Sequence, residues 1–503
     1  MKARQLQALL AGAIIATVLL FLATQHLRSH GFPSGRGEFS EDSASTFDDN
    51  QGAVSDVHAQ SQTGPAATLP RRDLNVPRRS SLQEWDSAWD DKTLWPEEPG
   101  PAVAKSANES AHWASATNHI LPDEVEEILG SIWREEDGDN STSKAGHLTC
   151  PLQRGSRYNL LRDKAAGSGQ VQFFFALNLH QSIDVIPRLM GSVLETVRFL
   201  GPEHCAISIV DGRSDDGTYE VVAALRPRVE SMGAQFYLSA TRSRVKDEDL
   251  QRAERLSAMR NKVLGPLREV TSTGPVRGLS GTFSPDTVAV ILDAIALCPE
   301  DILELILQHV HQGARMSCAV DWIWNETLVS NSRDVRSLDG TPIFDISRGS
   351  SISRVEDVLF QNHTNRHRYA SLPVQVYSCW GGMVVLDALP FAEDWIKFRL
   401  AASGECATSE AMLLARDLYQ RRGGRIMAVP AINVAHSNKD AAEIKQLRGY
   451  VQDHVHMFQP ALDNQETIGW QRAPPAMVKC LSSQDDPRWM KMQDTIRTQT
   501  RGE

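Results

Sequence analysis

One long apolar run dominates the first thirty residues. Between Gln5 and Leu27 there is no Asp, Glu, Lys or Arg, and residues 8–24 are almost wholly apolar. At about 1.5 Å of rise per residue, such a helix reaches across a bilayer core. Lys2 and Arg4 precede the run and only Arg28 follows closely, so the positive-inside bias leaves the N-terminus in the cytosol and the remainder in the lumen. The run is longer than a usual signal-peptide core, and residues 22–25 make a poor cleavage context. The expectation is a cytosolic tip and a single-pass type II signal anchor over residues 1–30. Residues 31–118 are rich in Ser, Asp, Gly, Pro, Gln and Ala, with almost no apolar periodicity. They bury too little surface to offset ordering entropy, which predicts a flexible luminal stem.

Folded patterning starts at Pro122. An acidic first turn there precedes Val125, Ile128, Leu129, Ile132 and Trp133, the spacing of one helical face. Strand-like runs at 171–178, 206–211, 235–239 and 287–293 then alternate with helical stretches at 186–200, 219–232, 250–267 and 299–311. This alternation predicts an α/β fold with a mainly parallel central sheet and helices on both faces. The expected catalytic region is 119–460, followed by a C-terminal tail at 461–503. Because open α/β sheets bind ligands outside the carboxyl ends of their strands, polar residues at those ends are the candidates for chemistry.

Composition narrows the partners. The chain has 503 residues and a formal net charge of −11, and it lacks the Lys and Arg clusters through which proteins hold a phosphate backbone, so nucleic acid is not expected. Seven cysteines all lie beyond the apolar run, none in a CxxC or Cys/His zinc spacing. In a luminal region they allow one to three disulfides, with at least one cysteine left over. Sequons at Asn108, Asn140, Asn325 and Asn362 fall on the same side of the anchor.

At the strand ends, Asp211 opens the turn Asp211 to Thr218, which also holds Asp216. That turn is either ordinary β-to-α punctuation or an acceptor for a base or ribose. Asp293 ends an apolar strand, where a carboxylate suits a divalent cation, Mn²⁺ or Mg²⁺, that neutralises a departing diphosphate. Arg260 falls inside the apolar arc of Leu256, Met259, Val263 and Leu267 and needs an anionic partner, a diphosphate or a buried carboxylate. Asp321 follows a short strand, and Trp380 with Gly381 and Gly382 forms an aromatic wall beside glycines. Glu405 and Glu410 sit near the start of a helix, and His436 follows a late strand as a candidate metal ligand.

Five ordered segments carry a family likeness: LSAMRNK at 256–262, CPEDIL at 298–303, CAVD at 318–321, YSCWGGMVVLD at 377–387 and ECATSE at 405–410. Together they resemble the fungal capsule-associated α-1,3-mannosyltransferase family, glycosyltransferase family 69, from about Phe173 to His436. The resemblance implies a type II Golgi membrane protein with a GT-A-like nucleotide-sugar-binding fold. It also implies a GDP-mannose donor, a mannose-containing glycan acceptor and a divalent metal. Carried over by position, Asp211, Asp216, Arg260 and Asn261 fall on the donor side; Trp380 and Gly381 join them as donor-side candidates, with Gly381 standing where the family usually has a polar residue. Asp321, Glu405 and Glu410 are the catalytic candidates, and Asp293 and His436 the metal candidates. The family's fourth-strand motif commonly reads Leu-Asn-Asp-Val, whereas residues 291–295 here read ILDAI, with the acid one position early. Adjacent strand residues point to opposite faces, so this departure keeps two alternatives open. One is a non-catalytic scaffold in a Golgi complex, the other a transferase of another sugar such as xylose.

Overall fold

The computed structural model describes residues 120–136, 148–151, 156–241, 250–271, 274–325, 327–330, 335–338, 372–402, 405, 409–421, 424–455, 467–471, 473, 476–480 and 488–491. The expected anchor and stem, with Asn108, Asn140 and Asn362, lie outside the described residues. Among those residues no helix is long and apolar enough to cross a membrane.

Helices α1 (Pro122–Glu136) and α2 (Asn159–Ala166) precede an alternating run of β1 (Val171–Leu179), α3 (Ile186–Leu200), β2 (Cys205–Asp211), α4 (Thr218–Ser231), β3 (Gln235–Ala240) and α5 (Leu250–Val263). A hairpin of β4 (Arg268–Thr271) and β5 (Gly274–Leu279) leads into β6 (Phe283–Leu292), α6 (Pro299–Gln312), β7 (Met316–Asn325) and β8 (Thr327–Ser330). The chain continues through β9 (Val374–Gln375), β10 (Met383–Asp387), α7 (Leu389–Ala392), α8 (Glu410–Gln420), β11 (Ile426–Ala435), α9 (Asn438–Arg448) and α10 (Val451–His454). Within the expected tail, β12 (Met477–Cys480) and β13 (Arg488–Lys491) pair as a hairpin.

The main sheet runs β3-β2-β1-β6-β10-β7-β11-β9, with β8 paired to β7. β3, β2, β1 and β6 are parallel neighbours, as are β7 and β11, which matches the expected mainly parallel sheet. β10 lies antiparallel between β6 and β7. A five-residue apolar run buried on both faces carries no sign of its direction, so this strand was not foreseen.

Side-chain alternation divides the core into two layers. Phe173, Phe175 and Leu177 of β1 pack with Leu189 and Val193 of α3 and with Ile302 and Ile306 of α6. Phe174 and Ala176 face the other way, toward Met259 and Val263 of α5 and Leu414 and Leu418 of α8. The helix expected over 250–267 stops at Val263, and a short 3₁₀ turn takes its place at Gly265–Leu267. Pro266 lacks an amide hydrogen and disfavours helical geometry in the residue before it.

Two disulfides join distant segments. Cys150–Cys298 ties the chain before α2 to the start of α6, and Cys318–Cys379 ties β7 to the segment entering β10. Cys205 is free and buried, and burial pushes its thiol pKa up. At the start of α6, Asp301 accepts from the Cys298 amide at 2.8 Å and from Lys445 Nζ at 2.6 Å, both side chains being fully buried. This pair locks α9 to the start of α6. Removing one partner strands the other charge in the interior, so Lys445→Met is expected to lower unfolding free energy by about 3–5 kcal/mol in urea titrations.

Candidate active site

The carboxyl ends of β1, β6, β7 and β11 form one rim, and the segment Trp380 to Gly382 enters antiparallel β10 at that same end. Asp293 stands one residue past β6. Its amide donates to the Gly382 carbonyl at 2.8 Å, and its Oδ2 accepts from Trp380 Nε1–H at 2.8 Å. The shifted acid therefore faces polar partners at the rim. Asp293 N–H sets the segment and Trp380 sets the carboxylate.

Arg260 is the second element of the site. It is 3% exposed, which is what its place in the apolar arc of α5 demands. One terminal nitrogen bonds Glu410, and the other lies 3.5 Å from Asp293 Oδ2. The guanidinium carbon sits 3.8 Å from the Trp380 ring centroid, a cation–π stack, and 5.6 Å from that of Phe398. Of the two partners the sequence offers, the structure supplies carboxylates, the buried Glu410 and the half-buried Asp293. Glu410 is the first residue of α8, whose cap is Ser409, accepting from the Met412 amide at 3.2 Å. The positive end of α8 thus supports the Glu410 carboxylate that holds the arginine.

Gly381 is fixed by packing. A Cβ there would lie 2.0 Å from the Ala319 carbonyl oxygen, a backbone atom that cannot step aside cheaply. Gly382 has φ +68°, a backbone conformation that glycine adopts without penalty. With Cys379 bridged to Cys318, these glycines bring the segment against β7, and the Trp380 indole lies over Arg260.

Asp321 and His436 form a carboxylate–imidazole pair on the rim. His436 Nε2 is 3.5 Å from Asp321 Oδ2, and its Nδ1 is 3.2 Å from the Ala294 carbonyl. The Asp321 contact raises the imidazole pKa above its ordinary 6.5, against burial, which lowers it, and Asp293 adds to the rise.

The other candidates are placed in supporting structure. Asp211 Oδ1 and Oδ2 accept from the Ser214 hydroxyl and amide at 2.6 and 3.0 Å, closing the turn after β2. Asp216 accepts from the amides of Ile183 and Thr218, each at 3.0 Å, joining two loops. Asn261 exchanges two hydrogen bonds with the backbone of Phe398, at 2.7 and 3.0 Å, and so holds the ring that flanks Arg260. Glu405 is bonded by Arg399, Arg416 and the Ala402 amide. Burial pushes its carboxyl up, but these donors outweigh burial and hold it below the usual range.

Two polar residues at this rim escaped the sequence reading. Asn178, near the tip of β1, and Ser257, one turn before Arg260, are both more than nine-tenths buried, and their side-chain polar atoms have no hydrogen-bond partner. Asn178 ends a strand otherwise read as apolar core, and a small Ser in a helix gives no signal on its own.

Among the described residues no group of three or more His, Cys, Asp or Glu is arranged to hold a metal ion. Mg²⁺ and Mn²⁺ sites in transferases use one or two carboxylates and complete their shell with water and substrate phosphates. Asp293, whose side chain is 21% exposed at the rim, fits that looser donor set, and the neighbouring His436 adds a nitrogen.

Fold and site thus define an α/β protein with an acidic, arginine-buttressed rim at the switch point of a mostly parallel sheet. The family model described as Cryptococcal mannosyltransferase 1 matches residues 172–417. The alpha-1,3-mannosyltransferase CMT1 of Cryptococcus neoformans is 27% identical over 367 residues, 68% of this chain and 76% of that protein. These matches support the fungal capsule-associated mannosyltransferase family and a glycosyltransferase of the mannosyltransferase class. Solved structures with some likeness are S. aureus TarS 1-349 in complex with UDP and the mannosyltransferase PcManGT from Pyrobaculum calidifontis in complex with GDP-Man and Mn²⁺. TarS is 12% identical with a TM-score of 0.30, over 55% of this chain and 64% of that one. PcManGT is 11% identical with a TM-score of 0.30, over 62% and 68%. At such TM-scores these likenesses carry no argument.

Two outcomes test the geometry. Gly381→Ala is expected to shift Trp380 and lower the melting temperature by several degrees. In NMR titration, His436 is expected to lose its proton above pH 6.5, and Asp321→Asn should bring the midpoint down toward the ordinary value. Because the folded pKa is raised, the pair's stabilisation is complete below the unfolded value and is lost as pH rises through the folded one.

Proposed function

We propose that this chain is a retaining α-1,3-mannosyltransferase that moves mannose from GDP-mannose to a mannose-containing glycan and depends on Mn²⁺ or Mg²⁺. The observation that carries the reading is Asp293 at the sheet rim, braced by Trp380 and set beside a buried arginine, in a chain of mannosyltransferase ancestry. An α-linked donor giving an α-linked product keeps its anomeric configuration, hence retention.

Asp293, with deprotonated His436, would hold the divalent cation, which when bound neutralises charge on the leaving diphosphate. Arg260 adds a fixed positive charge at the same point, pre-oriented by Glu410 and Trp380, so little reorganisation is needed as negative charge develops. Asp321, with His436, is placed to orient the acceptor hydroxyl or support positive charge on the sugar. Glu405 acts at a distance, by fixing Arg399 and Arg416 next to α8. That Asp293 meets Arg260 and Trp380 rather than apolar side chains favours an enzyme over a scaffold despite the shifted acid.

Two disulfides support folding in an oxidising compartment. With the apolar run at 8–24, this supports a type II protein of the Golgi membrane with its catalytic domain luminal.

The test is a donor panel on detergent-solubilised full-length protein with Mn²⁺ and α-mannoside acceptors. Transfer from GDP-mannose is expected, with Asp293→Ala abolishing both transfer and donor hydrolysis and Arg260→Ala lowering kcat by about 10²–10³-fold. Transfer from a different nucleotide sugar only, such as UDP-xylose, would replace the donor. Inactivity with every donor, complex formation being intact, would leave the scaffold.

A further inference from the structure

Asn178 occupies a special place in the sheet. From β1 the strand order runs one way through β2 and β3 and the other way through β6, which makes the tip of β1 a topological switch point. By strand alternation Asn178 shares the face of Phe174 and Ala176, the face that packs on Met259 and Val263 of α5. It is 7% exposed, yet neither its Oδ1 nor its Nδ2 has a hydrogen-bond partner. On α5, Ser257 Oγ and Arg260 Nε are also buried without a partner. These two residues are three apart and so lie on one side of the helix.

Buried polar groups in native proteins are nearly always satisfied, and each exception costs about 1–3 kcal/mol. Three orphaned groups on one strand tip and its covering helix therefore point to a ligand that supplies their partners. We propose that Asn178, assisted by Ser257, binds the ribose hydroxyls of the donor's nucleoside diphosphate. This rests on the donor reading above.

Position and chemistry choose the ribose. The rim residue next to Asn178 is Asp293, one step beyond the Leu177–Leu292 pair on a strand about 4.8 Å away. Asp321 lies in β7 and His436 one residue past β11, on the far side of β6. A donor with its diphosphate at Asp293 and Arg260, and its sugar toward Asp321 and His436, lays its nucleoside over β1. The ribose is the group bonded directly to the diphosphate. An amide offers donors and an acceptor together, which matches a vicinal diol, whereas a phosphate would leave Oδ1 facing another acceptor.

The experiment measures affinities of the full-length protein for GDP and 2′,3′-dideoxy-GDP, alongside the melting temperature without ligand. Wild type is expected to prefer GDP. Asn178→Ala should weaken GDP by roughly tenfold, leave dideoxy-GDP unchanged, and leave the unliganded melting temperature undiminished, since no bond is lost. Ser257→Ala should show the same pattern with a smaller loss, and it serves if the first variant does not fold. If both variants keep the wild-type preference for GDP over dideoxy-GDP, the ribose contact is refuted while nucleotide binding stands. A wild type that does not bind GDP overturns the donor reading and this inference with it.

Discussion

One buried cation organises the rim of this protein. Arg260 projects from α5 into a layer made mostly of apolar side chains, and a guanidinium cannot stay there without compensation. Its compensation comes from three directions: Glu410 at the start of α8, Asp293 past β6, and the face of Trp380. Each of those elements is far from the others in sequence. Satisfying one arginine therefore fixes the relative positions of two helices, one strand tip and the segment entering β10.

The neighbouring structure repeats that logic at lower stakes. The Cys318–Cys379 bridge and the close approach of Gly381 to the Ala319 carbonyl deny Trp380 room to leave the stack. Asn261, next to the arginine, spends its amide on the backbone of Phe398 and so sets the second ring. The many carboxylates then divide by environment. Asp211, Asp216, Glu405 and Asp301 have their oxygens taken by amides, hydroxyls, arginines or a lysine and hold the frame. Asp293 and Asp321 instead share the rim with an imidazole, which is where mobile charge can be received.

The likeness to mannosyltransferases gives this arrangement its meaning. A sheet with a switch point, an acidic rim and a pre-oriented cation is suited to an activated sugar whose phosphates leave. The same rim contains polar groups with nothing to bond in the protein alone.

Much of the fold was legible because periodicity is a local property. The strand runs at 171–178 and 206–211 and the helix Ile186–Leu200 follow from burial on two faces or one, and the structure reproduces them to within about a residue. The need of Arg260 for an anion was equally legible, from its angular position on a helix. The sequence by itself thus determined the first alternating strands and helices, and that a charge in an apolar arc must be paired. Only the tertiary structure decided which carboxylates pair with Arg260, that β10 enters antiparallel, that Asp211, Asp216 and Glu405 serve the frame, and that Asn178 is left unbonded. Those outcomes depend on contacts between residues up to 150 positions apart, and no local pattern encodes the distance between two side chains that meet only after the chain has closed.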